Sequence, residues 1–326
     1  MRAPTCLLRR TYDPSALLAS HPPVLTHPHK RLIFDLACPP GATHAGPVTV
    51  TRWAALALPD RVELAPTELV VVAGYYDYRG RSDGVWHVNF ADPRLFAAYG
   101  SRLLDQDELQ AAEHPVLGSV REALLAEGDS AMTEEADQPT PVLVLGAERR
   151  CALDTAVNFD AGRIYGLYGS RFAKASADDV RGALHVLRPP TRSHLIAMAA
   201  PAASGPYWPA QIARIVVIAL TGFAAAIEET RRAWPGAPVE VHTGFWGCGA
   251  FGGNRHAMTL LQLLAARLAG LDRLVFHAAD DAGLDDYRTG AGHLAQVLAA
   301  GTPGEPLAAL LERVADLDYQ WGTSHH

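Results

Sequence analysis

A glycine-rich stretch near residue 250 has the composition of an anion-binding loop. Residues 242–254 read HTGFWGCGAFGGN and contain five glycines within ten residues. A predicted strand precedes the stretch and a predicted helix follows it. Glycine lets backbone N–H groups approach a ligand closely, and the first turn of a helix adds a positive dipole end. The stretch therefore predicts a cradle for a phosphate or diphosphate, since a purely structural turn would rarely need so many glycines.

Two adjacent carboxylates, Asp107 and Glu108, are the second candidate for chemistry. Paired carboxyl groups can donate and accept the proton that a bond cleavage requires. The pair also has a simpler interpretation, because acidic residues are common early in a helix, where the dipole favours them. Taken alone, the pattern favours this solvated pair. A second pair, Glu134-Glu135, lies in a polar stretch and is interpreted as a solvated acidic face.

The glycine stretch also contains the dinucleotide-binding pattern GxGxxG, at residues 247–252. That pattern alone is weak evidence for a Rossmann domain. Such a domain needs several βαβ units after the glycines, and only one short predicted strand, at residues 274–277, clearly follows. The acidic residue expected about 20 positions further on is also missing. The surrounding sequence therefore argues against a dinucleotide fold.

Short β-branched runs alternate with helical segments along the chain, and this alternation predicts an α/β fold with a mixed sheet covered by helices on both faces. The predicted strands are residues 69–73, 85–90, 142–145, 184–187, 194–199, 239–242 and 274–277. The predicted helices are residues 14–20, 51–57, 101–109, 116–127, 206–234 and 255–269. Residues 1–65, rich in Pro and His, are expected to form an accessory segment of a main domain at residues 66–326. We expect His27 and His29 to lie in a solvated turn.

Composition bounds the possible functions. The 326 residues carry a net charge of -7, which argues against a general nucleic-acid binder. Only two of the 28 basic residues are lysines, Lys30 and Lys174, a bias typical of a GC-rich genome. The longest apolar stretch, residues 215–227, falls short of a bilayer span, and no signal peptide is evident. We therefore expect a cytoplasmic protein without a membrane partner.

The cysteines give no sign of a metal site or of a disulfide framework. They are scattered and form no CxxC motif: Cys6, Cys38, Cys151 and Cys248. The C-terminal His325 and His326 have no partner at metal-ligand spacing. The sequence therefore predicts neither a metal nor a cofactor.

At the glycine loop the sequence resembles the poly(ADP-ribose) glycohydrolase family. The family's loop reads TGNWGCGAFGGD, and residues 243–254 read TGFWGCGAFGGN. The family also has an earlier signature, in which DFAN is followed by GGG, about seven residues and QEE. Here NFAD at residues 89–92 and FAA at 96–98 precede QDE at 106–108 with the same spacing. The resemblance is strongest over residues 69–120 and 239–280.

The resemblance implies a macrodomain, a mixed sheet between helices that binds ADP-ribose, and cleavage of a ribose–ribose O-glycosidic bond. Such cleavage passes through an oxocarbenium-like state, in which a carboxylic acid protonates the leaving oxygen and a carboxylate then activates water. Glu108 occupies the position of the family's catalytic acid/base. Asp107 stands where the family has a glutamate that orients the distal ribose, and it is one methylene shorter.

The resemblance also implies which residues bind the ligand, ADP-ribose or an ADP-ribosylated conjugate. In the earlier signature these are Asn89, Phe90, Asp92 and Gln106. In the glycine loop, which holds the diphosphate in the family, they are Thr243, Gly244, Phe245, Gly247, Cys248, Gly249, Ala250, Phe251 and Gly252. Tyr75, Tyr76 and Tyr78 are weaker candidates for the adenine side.

This chain departs from the family at several of these positions. Phe96-Ala97-Ala98 replaces GGG, Phe245 replaces an asparagine and Asn254 replaces an aspartate. Two added rings and the loss of polar partners are expected to narrow or reshape the pocket. Three functions stay open: a divergent glycohydrolase, a non-catalytic ADP-ribose binder, and an enzyme repurposed to another ADP-ribosyl nucleotide.

Overall fold

The structure, a computed structural model, describes residues 3–80 and 82–322, so His325 and His326 lie outside the described residues. Ten strands occur along this part of the chain. They are β1 (Cys6–Tyr12), β2 (Val48–Trp53), β3 (Glu68–Val72), β4 (Val85–Ala91), β5 (Glu134–Glu135), β6 (Gln138–Pro139), β7 (Val142–Leu153), β8 (Leu184–Ala199), β9 (Glu240–Gly244) and β10 (Arg273–His277). Strands β5 and β6 form a small separate hairpin.

The other eight strands form one mixed sheet, in the order β1-β2-β7-β8-β4-β9-β10-β3. The first four strands in that order pair antiparallel. From β8 onward all neighbours are parallel, through β4, β9, β10 and β3. The carboxyl ends of these five strands therefore meet at one edge of the sheet, where loops can converge on a ligand.

Nine α-helices are described, and they cover both faces of the sheet. They are α1 (Pro14–Ser20), α2 (Pro28–Ala37), α3 (Gln106–Glu113), α4 (Val116–Ala126), α5 (Ala177–Ala183), α6 (Pro209–Ala233), α7 (Arg255–Ala269), α8 (Asp281–Ala299) and α9 (Leu307–Ala315). The predicted fold class, a mixed sheet between helices, is confirmed.

Side chains of β4 show how the sheet divides the core. Trp86 and Val88 face the large apolar core beneath α6, α7 and α9. Ala91, an odd-numbered residue, faces a second core with Leu117 and Val120 of α4. This alternation is the two-residue period of a strand buried on both faces. Each face thus holds its own helices rigidly against the same strand.

Several local predictions differ from the structure. The helix predicted at residues 101–109 begins only at Gln106 and continues to Glu113 as α3. Residues 51–57 were expected to be helical, which is wrong, because residues 48–53 form β2 between β1 and β7. The two strands predicted around Arg188-Pro189-Pro190 are a single strand, β8. Its paired residues resume at Thr191 after Val186, so the prolines fall where the ladder with β7 is interrupted. Proline lacks an N–H donor and is tolerated at such an interruption.

The N-terminal residues share the same cores. Strands β1 and β2 extend the main sheet, and Leu17 of α1 packs in the second core together with Val48 and Val120. His27 begins α2 as its N-cap, and the rings of His27 and His29 contact Phe172. The expectation of a solvated turn at these histidines is therefore wrong. The boundary near residue 65 stays a prediction.

Helix α6 is the one described helix that is long and apolar enough to cross a membrane. Of its most apolar 18-residue window, 72% is buried inside the protein. It packs against β8 and α7 as the central helix of the larger core. A buried core helix passes the same length and composition test, so this feature gives only weak support for a membrane span.

Candidate functional site

The site begins where strands β4 and β9 separate. The two strands pair from Val85 to His87 and no further. Beyond that point the side-chain amide of Gln106 takes the place of a neighbouring strand. Its Oε1 accepts a hydrogen bond from the N–H of Phe90 (2.8 Å), and its Nε2 donates to the carbonyl of Val88 (3.1 Å). The start of α3 is thereby fixed at the carboxyl edge of the sheet.

The next two residues of α3 are the predicted catalytic pair. Glu108 is 3% exposed, and its Oε2 accepts a hydrogen bond from the N–H of Asp105 (2.9 Å) in a capping box. Burial and the adjacent Glu108 carboxylate raise the pKa of Asp107 well above its usual range. The pair therefore keeps a proton at pH values where two exposed carboxyls would both be ionised. It offers both a proton donor and a proton acceptor.

Phe90 connects this pair to the glycine loop. Its N–H is bonded to Gln106, while a Cβ added at Gly244 would lie 3.5 Å from its ring. The structure thus places the two segments of the family signature, which are about 140 residues apart in sequence, at the same edge of the sheet.

The glycine loop is tied to β9 at one end and to α7 at the other. Oγ1 of Thr243 donates to Oε1 of Gln262 (2.5 Å), and Nε2 of Gln262 donates to the carbonyl of Gly244 (3.0 Å). The N–H of Gly253 donates to the carbonyl of Gly247 (2.8 Å) and closes the loop. Among the described residues, the bonds that close the loop leave the N–H groups of Gly249 and Phe251 unused. These groups could bind an anion.

Only some glycines in the loop are required by its backbone. Gly247 has φ of +77°, and an added Cβ would lie 2.5 Å from the Cβ of Ala200. Gly252 has φ of +67°. Gly249 is exposed, and an added Cβ there would meet no atom within 4 Å. The N-terminus of α7 contributes less than predicted, because the side chain of Asn254 already accepts hydrogen bonds from its first turn.

Two other loop side chains have packing contacts. The ring of Phe245 contacts Phe276, with ring centroids 5.1 Å apart, and the guanidinium of Arg255 lies over it at 4.7 Å. Burial raises the pKa of the Cys248 thiol, so this thiol stays protonated and is a poor nucleophile. Ala250 and Phe251 are partly buried beside them.

Phe96 does not narrow the pocket, and that expectation is wrong for this ring. It is 1% exposed and packs in the second core with Leu95 and Tyr99. Its φ is +51°, in the left-handed region that glycine adopts most easily. A bulky residue therefore adopts a backbone conformation that glycine adopts most easily, and its ring packs in the second core.

Asn89 and Asp92 have structural partners. Asn89 is fully buried beneath α3, and its Nδ2 donates to Oε1 of Gln110 (2.9 Å). Asp92 follows β4, and its Oδ1 accepts a hydrogen bond from the N–H of Arg94 (2.9 Å). These contacts hold α3 and the turn after β4, while a role in ligand binding stays a prediction.

Sequence reasoning missed two side chains beside the carboxyl pair. Lys30 of α2 is buried, and its Nζ lies 3.3 Å from the carbonyl oxygen of Glu108. Burial and the charges of Asp105 and Asp107 raise the pKa of Tyr168, so its hydroxyl also lies near the pair. Tyr75, next to Tyr168 and 77% exposed, completes this side of the site. For Lys30 the only available signal was the rarity of lysine in the chain.

Tyr76 and Tyr78 lie against β4 and α3, in a partly buried cluster of aromatic and imidazole rings. The hydroxyl of Tyr76 donates to the carbonyl of Val88 (3.2 Å), and the hydroxyl of Tyr78 accepts a hydrogen bond from Nε2 of Gln110 (2.9 Å). The rings of His87 and His242 stack at 4.6 Å, and Tyr76 contacts both. Nδ1 of His242 lies 2.8 Å from Nε2 of His277. A cavity of about 750 Å³ next to this cluster is lined by Tyr78 and His87 and includes neither carboxylate of the α3 pair. Among residues 3–80 and 82–322, no group of three or more His, Cys, Asp or Glu side chains could hold a metal ion.

Comparison with known proteins supports the family resemblance over one part of the chain. Residues 167–286 match the family model described as poly(ADP-ribose) glycohydrolase (PARG), macro domain fold. That match contains the glycine loop and confirms the resemblance over about a third of the chain. No curated protein sequence matches.

Solved structures similar to this chain include bacterial poly(ADP-ribose) glycohydrolases. The Thermomonospora curvata enzyme is 15% identical, with 87% of this chain and 85% of that chain covered and a TM-score of 0.42. The Deinococcus radiodurans enzyme in complex with ADP-ribose is 13% identical, with 88% and 94% covered and a TM-score of 0.45.

Proposed function

Because residues 167–286 match the poly(ADP-ribose) glycohydrolase family model, we propose that this protein hydrolyses the O-glycosidic bond of an ADP-ribosyl substrate. The observation that carries the proposal is the Asp107–Glu108 pair. Glu108 is buried, Asp107 is partly buried with a raised pKa, and both lie at the same sheet edge as a loop with free N–H groups. A glycosidase needs this combination of a protonated acid, a carboxylate and an anchor for the rest of the substrate.

In this mechanism the loop N–H groups bind the diphosphate, and the anomeric carbon of the ribose faces Glu108. Glu108 protonates the leaving oxygen as the glycosidic bond breaks, and the resulting carboxylate then takes a proton from the attacking water. The carboxyl of Asp107 orients the ribose hydroxyls. Positioning by the loop supplies much of the acceleration, because both reacting groups are then held in place.

Replacement of Glu108 by glutamine tests the proposal. Glutamine can still accept the hydrogen bond from Asp105 N–H but cannot transfer a proton. We expect the Glu108→Gln variant to release ADP-ribose from poly(ADP-ribose), or from an O-linked conjugate, at least 100-fold more slowly than the wild type. Release is measured by chromatography of the freed nucleotide.

The same substitution at Glu134 is the matched control. Glu134 lies on the β5–β6 hairpin, outside the site, and pairs with Arg214 of α6, so Glu134→Gln should keep the wild-type rate. A wild-type protein that cleaves none of these substrates, or a Glu108→Gln variant as active as the wild type, contradicts the proposal.

A second function, ADP-ribose binding without hydrolysis, is favoured by one specific observation. Oε2 of Glu108 already accepts the capping hydrogen bond from Asp105, so this carboxylate has a structural purpose without catalysis. Calorimetry with ADP-ribose separates the two functions. Binding by both the wild type and Glu108→Gln, with no hydrolysis by either, supports the binder, whereas ADP-ribose release that depends on Glu108 supports the enzyme.

A further inference from the structure

Lys30 is a buried cation that reaches the carboxyl pair from the N-terminal part of the chain. It lies in α2 and is 2% exposed. Its Nζ donates a hydrogen bond to the backbone carbonyl of Glu108 (3.3 Å) and lies 5.5 Å from the ring centroid of Phe172. A lysine is rarely buried unless a partner compensates its charge. The side chain is therefore held between the first turn of α3 and an aromatic face.

The charges around Lys30 explain why it can stay buried. Three carboxyl groups of the α3 N-terminus, those of Asp105, Asp107 and Glu108, favour its protonated form. His27 at the start of α2 is a nearby titratable group, and burial together with His29, Lys30 and Arg102 lowers its pKa, which favours its neutral form. Phe172 and Tyr168 approach from the segment after β7.

Burial and the carboxylates act on Lys30 in opposite directions. Burial is the larger effect, and it lowers the pKa of Lys30 to about 8. Lys30 in turn lowers the pKa of Asp107, against the larger raising effects of burial and Glu108. One ammonium and a pair that shares one proton together carry no net charge, while the third carboxyl, that of Asp105, lies partly exposed at the N-cap of α3. A neutral cluster of this kind can be buried at much lower cost than a lone charge.

We propose that Lys30 is a positioning residue that fixes the protonation of the Asp107–Glu108 pair, so that α2 of the N-terminal segment completes the site. The cation stabilises one negative charge on the pair, and the other carboxyl keeps its proton. If the cation is removed, the remaining negative charge is uncompensated and the pair binds its protons more tightly. Only the effect of Lys30 on catalysis rests on the proposed function; its effect on the protonation of the pair does not.

The first test does not need enzymatic activity. The chain has two lysines, Lys30 and Lys174, so protein labelled with ¹³C-lysine gives two side-chain signals in an NMR titration. Exposed Lys174 is the internal reference, and a Lys174→Met variant assigns the signals. We expect Lys30 to titrate near pH 8, at least two pH units below the ordinary lysine value of 10.5.

Removal of a carboxylate tests the coupling. In Glu108→Gln the midpoint of Lys30 should fall by at least half a pH unit, because a group that stabilises the ammonium is lost, while Glu134→Gln should leave it unchanged. The proposal is overturned if the Lys30 ammonium stays charged up to pH 10. It is also overturned if the titration midpoint of Lys30 does not change in Glu108→Gln. Both results are obtained whether or not the protein hydrolyses any substrate.

The second test uses the pH profile of kcat/KM. Lys30→Met should shift the whole profile toward higher pH by about one unit, because the Asp107–Glu108 pair then loses its protons at higher pH. Lys30→Arg should restore the wild-type position of the profile. A profile that keeps its wild-type position in Lys30→Met overturns the proposal. If the wild type has no activity, the proposed function fails, and the NMR titration still decides the role of Lys30.

Discussion

Glu108 combines a structural contact and a candidate catalytic role in one side chain. One oxygen caps α3 through Asp105 N–H, and the carboxyl packs against Asp107, whose pKa is raised. The sequence predicted both residues of this pair, because the family spacing continues to QDE at 106–108. It did not predict Lys30, since no local pattern connects residues that are 78 positions apart and meet only in the folded protein.

Lys30 gives a prediction for stability in alkaline solution. Its pKa is about 8 in the folded protein and about 10.5 when exposed. Between these pH values the unfolded chain binds the extra proton, so the contribution of Lys30 to the free energy of unfolding rises as pH increases through this window. Buried thiols and phenols with raised pKa values, such as Cys248 and Tyr168, act in the opposite direction, so the Lys30 contribution is the difference between the wild type and Lys30→Met. The full effect is on the order of 3 kcal/mol. Urea unfolding at pH 7.5 and pH 10 measures it.

The Lys30→Met variant should lack this pH-dependent contribution to the free energy of unfolding. The Lys174→Met variant, changed at an exposed position, should keep it. An equal rise in the wild type and in Lys30→Met would show that Lys30 is not the group responsible.

The elements around the site differ in how clearly the sequence encodes them. Helix α7 was predicted with its observed ends, because an Ala/Leu-rich segment is followed by Gly270 in the left-handed C-cap position. Residues 51–57 were predicted as helix although residues 51–53 belong to β2, since the strand character of β2 depends on pairing with β1 and β7. The separation of β4 from β9, which creates the place for Gln106, depends on tertiary contacts and has no sequence signal.

Two glycines of the loop give a matched pair of predictions. Gly247→Ala places a Cβ 2.5 Å from that of Ala200 at a φ of +77°, so we expect the loop to shift. ADP-ribose binding should weaken at least tenfold, and stability should fall by about 1–3 kcal/mol. In Gly249→Ala the added Cβ meets no atom within 4 Å, so this variant should bind ADP-ribose as the wild type does. Calorimetry and thermal unfolding measure the two effects, and equal losses in both variants would contradict the assignment.

Gln106 gives a third prediction at this scale. Gln106→Leu should leave the N–H of Phe90 without its acceptor and should remove one hydrogen bond to the carbonyl of Val88. We expect the free energy of unfolding to fall by about 1–3 kcal/mol. Hydrogen exchange at the Phe90 amide should become faster, because its acceptor is lost. An unchanged exchange rate would show that another group replaces Gln106.

At the scale of the whole molecule, buried histidines make the fold sensitive to acid. Burial lowers the pKa of His114 to about 3 and that of His194 to about 4. Their neutral forms therefore contribute stability that is present above pH 6.5 and is lost as pH falls toward 4. We expect the free energy of unfolding to decrease by several kcal/mol between pH 7 and pH 4.5, as measured by urea unfolding. His194→Gln should reduce the decrease, and His185→Gln, outside these buried positions, should leave it unchanged.

The strand order has a consequence for the growing polypeptide during synthesis. Strand β4 lies between β8 and β9, and β3 pairs with β10. The partner strands of β3 and β4 are therefore synthesised more than 90 residues after them. Until then the apolar side chains of β4 have no sheet to join, and the nascent chain is exposed to aggregation. The Asp107–Glu108 pair on α3 can reach its final position only after most of the chain has been translated.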